Sequence, residues 1–460
     1  MQNQDNQQQT PSPSRPQASG SGQSVRNSAS SSSSEEKKPR FQAPSITLPK
    51  GGGAIQGIGE KFQANPVTGT GSLSVPIAIS PGRGGFAPQL ALSYDSGGGN
   101  SAFGSGWEIG LPNIARKTQK GLPQYDGLPK YEDALESDVF LLSVTEDLVP
   151  VVKPDGTKDE FTKSGYQVVR YRPRIEGLFA RIEKWVNADG TTHWRSVTKE
   201  NITTVYGQSP SARIADPADG RKVFQWLIEK SWDEKGNVIV YQYKKEDGAG
   251  LPPLIYEKNR NASNAYSQIY LKRVVYGNAV AHQEGGWLFE LVFDYGEHLT
   301  VGGTVPSFEE QQAWHVRPDI FSTFRSGFDV RTYRLCRRIL MFHHFEAELG
   351  VKNYLVKATH LEHDLNPIAS LLKSVTHTGF LLENGNYVSK SFPPVNFDYT
   401  KAKVDHTIYN ISAEDLPNAP EGIGNGYQFI DLEGEGLSGI LKQNGTAWYY
   451  KRNLAAAGGQ

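Results

Sequence analysis

From Phe41 onward, apolar and polar side chains alternate with a period of two, and glycine clusters break the alternation into segments. Leu73, Val75, Ile77 and Ile79 alternate with Ser72, Ser74, Pro76 and Ala78. After Pro81-Gly82-Arg83-Gly84-Gly85, Leu90, Leu92 and Tyr94 alternate with Gln89, Ala91 and Ser93. Successive strand residues point to opposite faces, so this spacing predicts two strands joined by a glycine-rich turn. Trp287, Phe289, Leu291, Phe293 and Tyr295 form one face of a further predicted strand, with Leu288, Glu290, Val292 and Asp294 on the other. Phe224, Trp226 and Ile228 predict another, and Ile239, Tyr241 and Tyr243 one more after the turn signal Asp233-Glu234-Lys235-Gly236-Asn237. Between Ser96 and Gly110, glycines recur around Trp107, where a backbone without Cβ atoms can turn sharply or lie against an indole. The best helical signal is the short N-cap-like start Ser307-Phe308-Glu309-Glu310, between Pro306 and Trp314.

The 460 residues allow about three domains at the usual domain size. Residues 1–40 are Ser- and Gln-rich, with an unbroken run Ser30 to Ser34, no aromatics and the mixed charges Glu35-Glu36-Lys37-Lys38. Such a segment cannot bury enough apolar area to offset chain entropy, and a disordered tail is expected. The remainder reads as all-β and mostly antiparallel, since 21 Tyr, 20 Phe, 8 Trp, 48 Gly and 27 Pro against 2 Met favour strands and tight turns. A net charge of -1 creates no field toward phosphate backbones or anionic lipid, so nucleic acid and direct membrane insertion are not expected. The start of the chain lacks the apolar stretch of an export leader, and no apolar run approaches the length of a membrane helix. Synthesis and assembly in the cytoplasm, with release by a leaderless route, are therefore expected.

Two units resemble one another: residues 231–243, containing Asp233, Gly236, Asn237, Tyr241 and Tyr243, and residues 270–278, ending Val274-Val275-Tyr276-Gly277-Asn278. Both suit strands of a long sheet. Candidate chemistry is sparse. The chain has no G-x-S-x-G elbow, Walker loop or H-E-x-x-H, and Gly57-Ile58-Gly59 lacks the third glycine of a dinucleotide site. His360, His363 and Asp364 offer ligand atoms, but i and i+3 on a regular strand face opposite ways, and adjacent His343 and His344 do the same. Glu346-Ala347-Glu348 has the E-x-E form of ADP-ribosyltransferases, with Ser322-Thr323-Phe324 a broken version of their Ser-Thr-Ser strand; a solvent-facing polar turn before Gly350 is the strongly preferred reading. Cys336, the single cysteine, lies among Arg334, Arg337 and Arg338 but has no partner for a disulfide and no context for a nucleophile. Asp431, Glu433 and Glu435 outline a D-x-D-G-x-G loop that can wrap a cation, although glutamates fit poorly and Gly439 stands where a last acidic ligand is expected. No catalytic, cofactor or metal residue is assigned from these patterns, and the chain is expected not to be an enzyme.

Residues 44–55 (Pro44 through Leu48-Pro49-Lys50-Gly51-Gly52-Gly53 to Ile55), Gly59-Glu60-Lys61-Phe62, Gly69-Thr70-Gly71-Ser72-Leu73 and residues 104–110 resemble the start of the SpvB-type (virulence-plasmid B) domain. The resemblance continues through Asp138-Val139-Phe140-Leu141-Leu142, residues 171–182, His193-Trp194-Arg195, Tyr206-Gly207 and Phe392-Pro393-Pro394-Val395. Residues 431–441 are similar to the first propeller blade (FG-GAP/VCBS-like) that follows this domain in the B component of insecticidal Tc toxin complexes. The implied organisation is a tail over 1–40, a strand-rich SpvB/RHS-like shell domain over 41–400 and an incomplete propeller start over 401–460. The resemblance implies a hollow β shell, completed by a C-type RHS component, that encloses a cytotoxic segment and docks on a pore-forming A-type component. A virulence-plasmid relative joins this domain to an ADP-ribosyltransferase domain; none is expected within these residues. An ADP-ribosylating enzyme using Glu346 and Glu348 and a secreted adhesion module are the alternatives.

Overall fold

The structure is a computed structural model that describes residues 59–65, 70–125, 137–143, 146–175, 179–258, 260, 266–301, 305–400, 407–408, 426–434 and 437–453. The expected tail over 1–40, residues 44–55, Gly57 and Glu435 lie outside the described residues. Two compact units are present, Met1–Phe397 and Asp398–Gln460.

The alternating segments form strands, and every registered pair is antiparallel. The first four, β1 (Lys61–Asn65), β2 (Thr70–Pro76), β3 (Ala91–Asp95) and β4 (Trp107–Ile109), make one sheet in sequence order. The predicted hairpin is β2–β3, with Leu73 opposite Tyr94 and Val75 opposite Leu92. It is shorter than the alternation suggests: β2 stops at Pro76, which has no N–H to give the ladder, and Ile77 and Ile79 lie beyond it.

Eight strands close a barrel. They are β5 (Asn113–Arg116), β6 (Phe140–Leu142), β7 (Glu146–Pro150), β8 (Tyr166–Pro173), β9 (Arg181–Val186), β10 (Thr192–Val197), β11 (Thr203–Tyr206) and β12 (Asp219–Trp232). Each pairs with the next, and β12 returns to β5 through Trp226 opposite Ile114. A ring of this size has an interior that side chains just fill. Here Phe140, Tyr171, Trp194 and Trp226, from the alternate strands β6, β8, β10 and β12, meet edge to face at 4.9–6.1 Å. Strands that are not neighbours can bring rings into contact only across the interior.

Strand β12 belongs to two structures at once. Residues 225–227 pair with β5 and close the barrel, whereas Lys230, Ser231 and Trp232 pair with β13 (Val238–Lys245) and begin an open sheet. Its core positions are Val223, Trp226 and Ile228, not the expected Phe224, Trp226 and Ile228. The pairing with residues Arg213–Asp216 skips from Gln225 to Val223, so Phe224 is an extra residue in a bulge that reverses the alternation.

The open sheet runs on through β14 (Ile269–Tyr276), β15 (Phe289–Asp294), β16 (Arg338–His343), β17 (Tyr354–Asp364), β18 (Leu371–Glu383) and β19 (Asn386–Ser391). The two similar sequence units turn out to be antiparallel neighbours in the sheet. Asn278 accepts a hydrogen bond from Val238 N–H at its Oδ1 and donates from Nδ2 to Gly236 O, pinning the turn of one unit with the last residue of the other. On β15, Leu291 and Phe293 join the main core, while Val292 on the opposite face packs with Leu340, Phe342, Leu355 and Phe380. This part of the sheet is covered on both sides.

The helix expected near Pro306 to Trp314 does not form. Val305–Pro306 is a short strand paired with Thr300–Val301, and Glu310 is drawn to lysines of the sheet. Among the described residues the α-helix is a single turn, Glu346–Leu349, closed by Gly350 in the left-handed region. The unit Asp398–Gln460 contains a three-stranded sheet of β20 (Tyr427–Ile430), β21 (Gly439–Asn444) and β22 (Ala447–Lys451). Phe429, Trp448 and Tyr449 are exposed on it.

Candidate functional site

The barrel interior carries one buried charge pair. Arg116, at the end of β5, donates from Nη1 to Asp138 Oδ2 at 2.6 Å and from Nε to Val223 O at 3.0 Å, and its guanidinium lies 5.1 Å from the Phe140 ring centroid and 5.6 Å from that of Trp226. Asp138 also accepts the N–H groups of Gln124 and Tyr125. The Tyr125 hydroxyl donates to Ser326 O, and burial pushes its pKa upward. All these groups are bonded within the protein, so the barrel is a packed core with no open reaction centre among them.

The most ionic buried region lies at the end of β14 and β15. Lys272 Nζ donates to Glu297 Oε1 at 2.6 Å and to His298 Nε2 at 2.9 Å, and is 3.3 Å from Glu310 Oε1. Glu297, His298 and Glu310 bring three ligand atoms within 4.8 Å of one another, the spacing of a metal site. The Lys272 ammonium already stands among them as the cation. His298 Nδ1–H donates to Ser307 O, which leaves Nε2 as the acceptor; burial and then Lys272 hold the ring's pKa down, keeping it neutral. Asp294 accepts from Arg338 Nε at 2.6 Å and from Gly296 N–H, so it too is committed. Sequence reading missed this network. The available signal was Lys272 itself, a charged residue inside a strand whose other members are almost all buried.

The sequence candidates are scattered. Glu346 and Glu348 are exposed on the single helical turn, and Ser322 sits on a separate hairpin, accepting from Arg331 Nη1 at 2.9 Å. Cys336 is wholly buried, and burial raises its pKa well above the ordinary thiol value, so it is a core thiol, as expected. His343 hydrogen-bonds Ser80 Oγ at 2.8 Å, while His344 bonds Glu290 Oε2 at 3.0 Å; the two rings face different partners, as expected for strand neighbours. His360 and His363 keep to opposite faces of β17: Ala358, two residues before His360, packs with Val292 and Leu340, whereas Leu361, two before His363, joins the main core. The register shift opposite Glu362 and His363 leaves Lys373 as the extra residue on β18, and both histidines still border one cleft at the end of the sheet. His363 is held by its Nε2–H, which donates to Phe103 O. Asp431 Oδ1 accepts Glu433 N–H, and Glu433 pairs with Arg452 at 2.9 Å; Glu435 lies outside the described residues.

One edge stands open among the described residues. There strand β19 has registered pairing with β18 alone, and five of its six residues are exposed. Leu381 and Val388 lie directly opposite one another there, 56% and 48% exposed, with Phe392 51% exposed just beyond. Apolar cross-strand pairs at an exposed edge mark a place where another chain can add.

The family described as Salmonella virulence plasmid 65kDa B protein matches residues 65–345. Mono(ADP-ribosyl)transferase SpvB of Salmonella typhimurium (strain 14028s / SGSC 2262) is 39% identical over 345 residues, 71% of this chain and 55% of the relative; the Salmonella dublin protein gives the same values. The chain thus spans about half the length of these curated relatives. The solved N-terminal domain of effector protein SpvB from Salmonella typhimurium strain LT2 superposes with a TM-score of 0.61 at 37% identity, covering 67% of this chain and 98% of that one. The TcdB2-TccC3 crystal structure gives 0.73 at 35% identity over 89% of this chain and 20% of that one. The Photorhabdus luminescens Tc holotoxin pore gives 0.70 at 34% identity over 90% and 19%. Relatives are therefore effector and toxin components. One expectation is corrected: that the chain is not an enzyme is contradicted by curated relatives that are named as mono(ADP-ribosyl)transferases. Strand patterning reports on the shared β-rich part and carries no information on what the rest of a longer relative does.

Proposed function

The chain belongs to the SpvB family, and from that premise we propose that it forms a wall segment of a Tc-like toxin assembly. In this reading the barrel and open sheet contribute to a β shell around a toxic cargo. A C-type RHS component adds to the exposed β19 edge and completes that shell. The region 401–460 is the start of the propeller that docks on a pore-forming A-type component; aromatics exposed on its small sheet suit a blade waiting for neighbours. Assembly takes place in the cytoplasm, before release.

The observation that carries this reading is the extent of the structural likeness. Superposition on TcdB2-TccC3 covers 89% of the chain, past the 67% covered by the SpvB N-terminal domain. Co-expression with a tagged RHS-type C component tests it. A single co-eluting species, lost when Leu381 and Val388 are both changed to Asp, is the expected result. Two folded proteins that elute separately would remove the proposal.

A further inference from the structure

A cleft of about 480 Å³ opens at the ends of β15, β16 and β17, next to the Lys272 network and sharing His298 with it. Its walls include His315, Arg337, His360 and His363, and its lip carries the exposed side chains Leu299 and Leu365. The charges beneath it pair off. Arg338 takes Asp294, Lys272 takes Glu297, and Lys244 takes Glu310 at 2.7 Å. Glu362, at the rim, is taken by Lys373 at 3.0 Å. Arg337 is left over: its exposed guanidinium makes no hydrogen bond or ion pair among the described residues. The His360 ring makes none either, and His315 uses only Nε2, which accepts from Gln312 Nε2 at 3.1 Å.

The side chain of His315 lies close against the backbone of Gly296. A Cβ at Gly296 would sit 2.6 Å from that ring, and its φ of +109° is one that side chains disfavour. The glycine is what lets the imidazole form a wall of the cleft. The result is one cation without an ion pair of its own, the uncommitted His360 ring, the free Nδ1 of His315 and an apolar lip, in a space with ample room for a small organic acid. Acceptors for these donors are missing from the protein, and an oxyanion supplies them.

We propose that this cleft binds an oxyanion, a carboxylate or phosphate group, with Arg337 as its charge partner and His360 and His315 as hydrogen-bond donors. The inference is independent of the toxin-shell reading. His315 faces Arg337, Asp294 and Glu297; His360 faces Arg338 and Asp294; His363 faces Arg317 and Arg337. Burial and these cations keep the rings neutral at pH 7, so an incoming anion takes up a proton with it and binds more tightly at lower pH.

Titration calorimetry of the full chain with inorganic phosphate and, separately, with glutarate tests the proposal at pH 6 and pH 8. Binding of either anion in the millimolar range, tighter at pH 6, is expected. Arg337→Gln weakens it about tenfold or more, the loss of one charge-assisted contact. Glu362→Gln, which removes a negative charge at the rim, leaves binding unchanged or strengthens it. Phosphate alone or glutarate alone identifies the group the cleft prefers. No heat with either anion, or equal binding by Arg337→Gln in a protein with an unchanged melting profile, overturns the inference.

Discussion

Lys272 Nζ stands 2.6 Å from Glu297 Oε1, with Glu297 wholly buried and Lys272 nearly so. Removing one partner of such a pair strands the other charge in low dielectric, whereas removing both leaves an apolar site. Lys272→Met is expected to cost about 3–5 kcal/mol. Lys272→Met combined with Glu297→Leu recovers most of that loss. Urea unfolding of the two variants checks this, and an equal loss in both would show that the pair is not the source.

The same ammonium keeps cations out of the trio Glu297, His298 and Glu310. Lys272→Ala empties that position while leaving two carboxylates and one imidazole at ligand spacing. Zinc binding measured with a competing chelator dye is expected for Lys272→Ala and absent for the unaltered chain. Equal zinc uptake by both would refute the assignment of Lys272 as the resident cation.

Gly207 ends the ladder from β11 with a φ of +58°, and a Cβ there would fall 2.5 Å from Trp226 Cδ1. Gly207→Ala must push the indole out of the barrel core or move the backbone, at a cost of about 1–3 kcal/mol. Trp226→Ala empties the same place and costs about 3–5 kcal/mol. The two changes together cost less than their sum, because the smaller residue removes the clash. Chemical denaturation measures all three.

His363 is half-buried, with its pKa pushed down to about 4, first by burial and then by the cations Arg317 and Arg337. Its unfolded value is about 6.5. A depressed folded pKa means that the unfolded chain binds the proton more tightly. Stability is therefore full above about pH 6.5 and falls as the pH drops toward 4, by about 2 kcal/mol at pH 5 from this residue. His363→Gln, which retains a donor for Phe103 O, should flatten part of the decline in melting temperature between pH 7 and pH 5. An identical slope would mean that other groups carry the acid sensitivity.

At the open edge, Leu381→Lys on the exposed cross-strand pair with Val388 should shift the isolated chain toward monomer in light scattering, since charge on an edge discourages strand addition. A monodisperse unaltered chain would make that edge inert.

Alternation alone was enough to read the all-β character, the β2–β3 hairpin and the core face of β15, because each depends on which way consecutive side chains point. A bulge defeated it in one strand: the extra residue Phe224 moved the core register to Val223. Barrel closure was also hidden, since it rests on strands as short as Phe140–Leu142 and on the distant pairing of Ile114 with Trp226. The expected helix beyond Pro306 failed because Glu310 found lysines on the sheet that nearby sequence does not reveal. Site chemistry was least legible of all: Lys272, Glu297 and Arg337 acquire meaning only from which charges cancel once the chain has folded.

Strand β12 works as a splice between two bodies with unlike responses to load. Tension applied at β19 can unzip the open sheet one ladder at a time, because each strand it frees exposes the next. When the tear reaches Lys230 to Trp232 it meets a ring without a free border, where several ladders must yield together. Pulling in an optical trap would accordingly give a staircase of small extensions followed by one larger rupture.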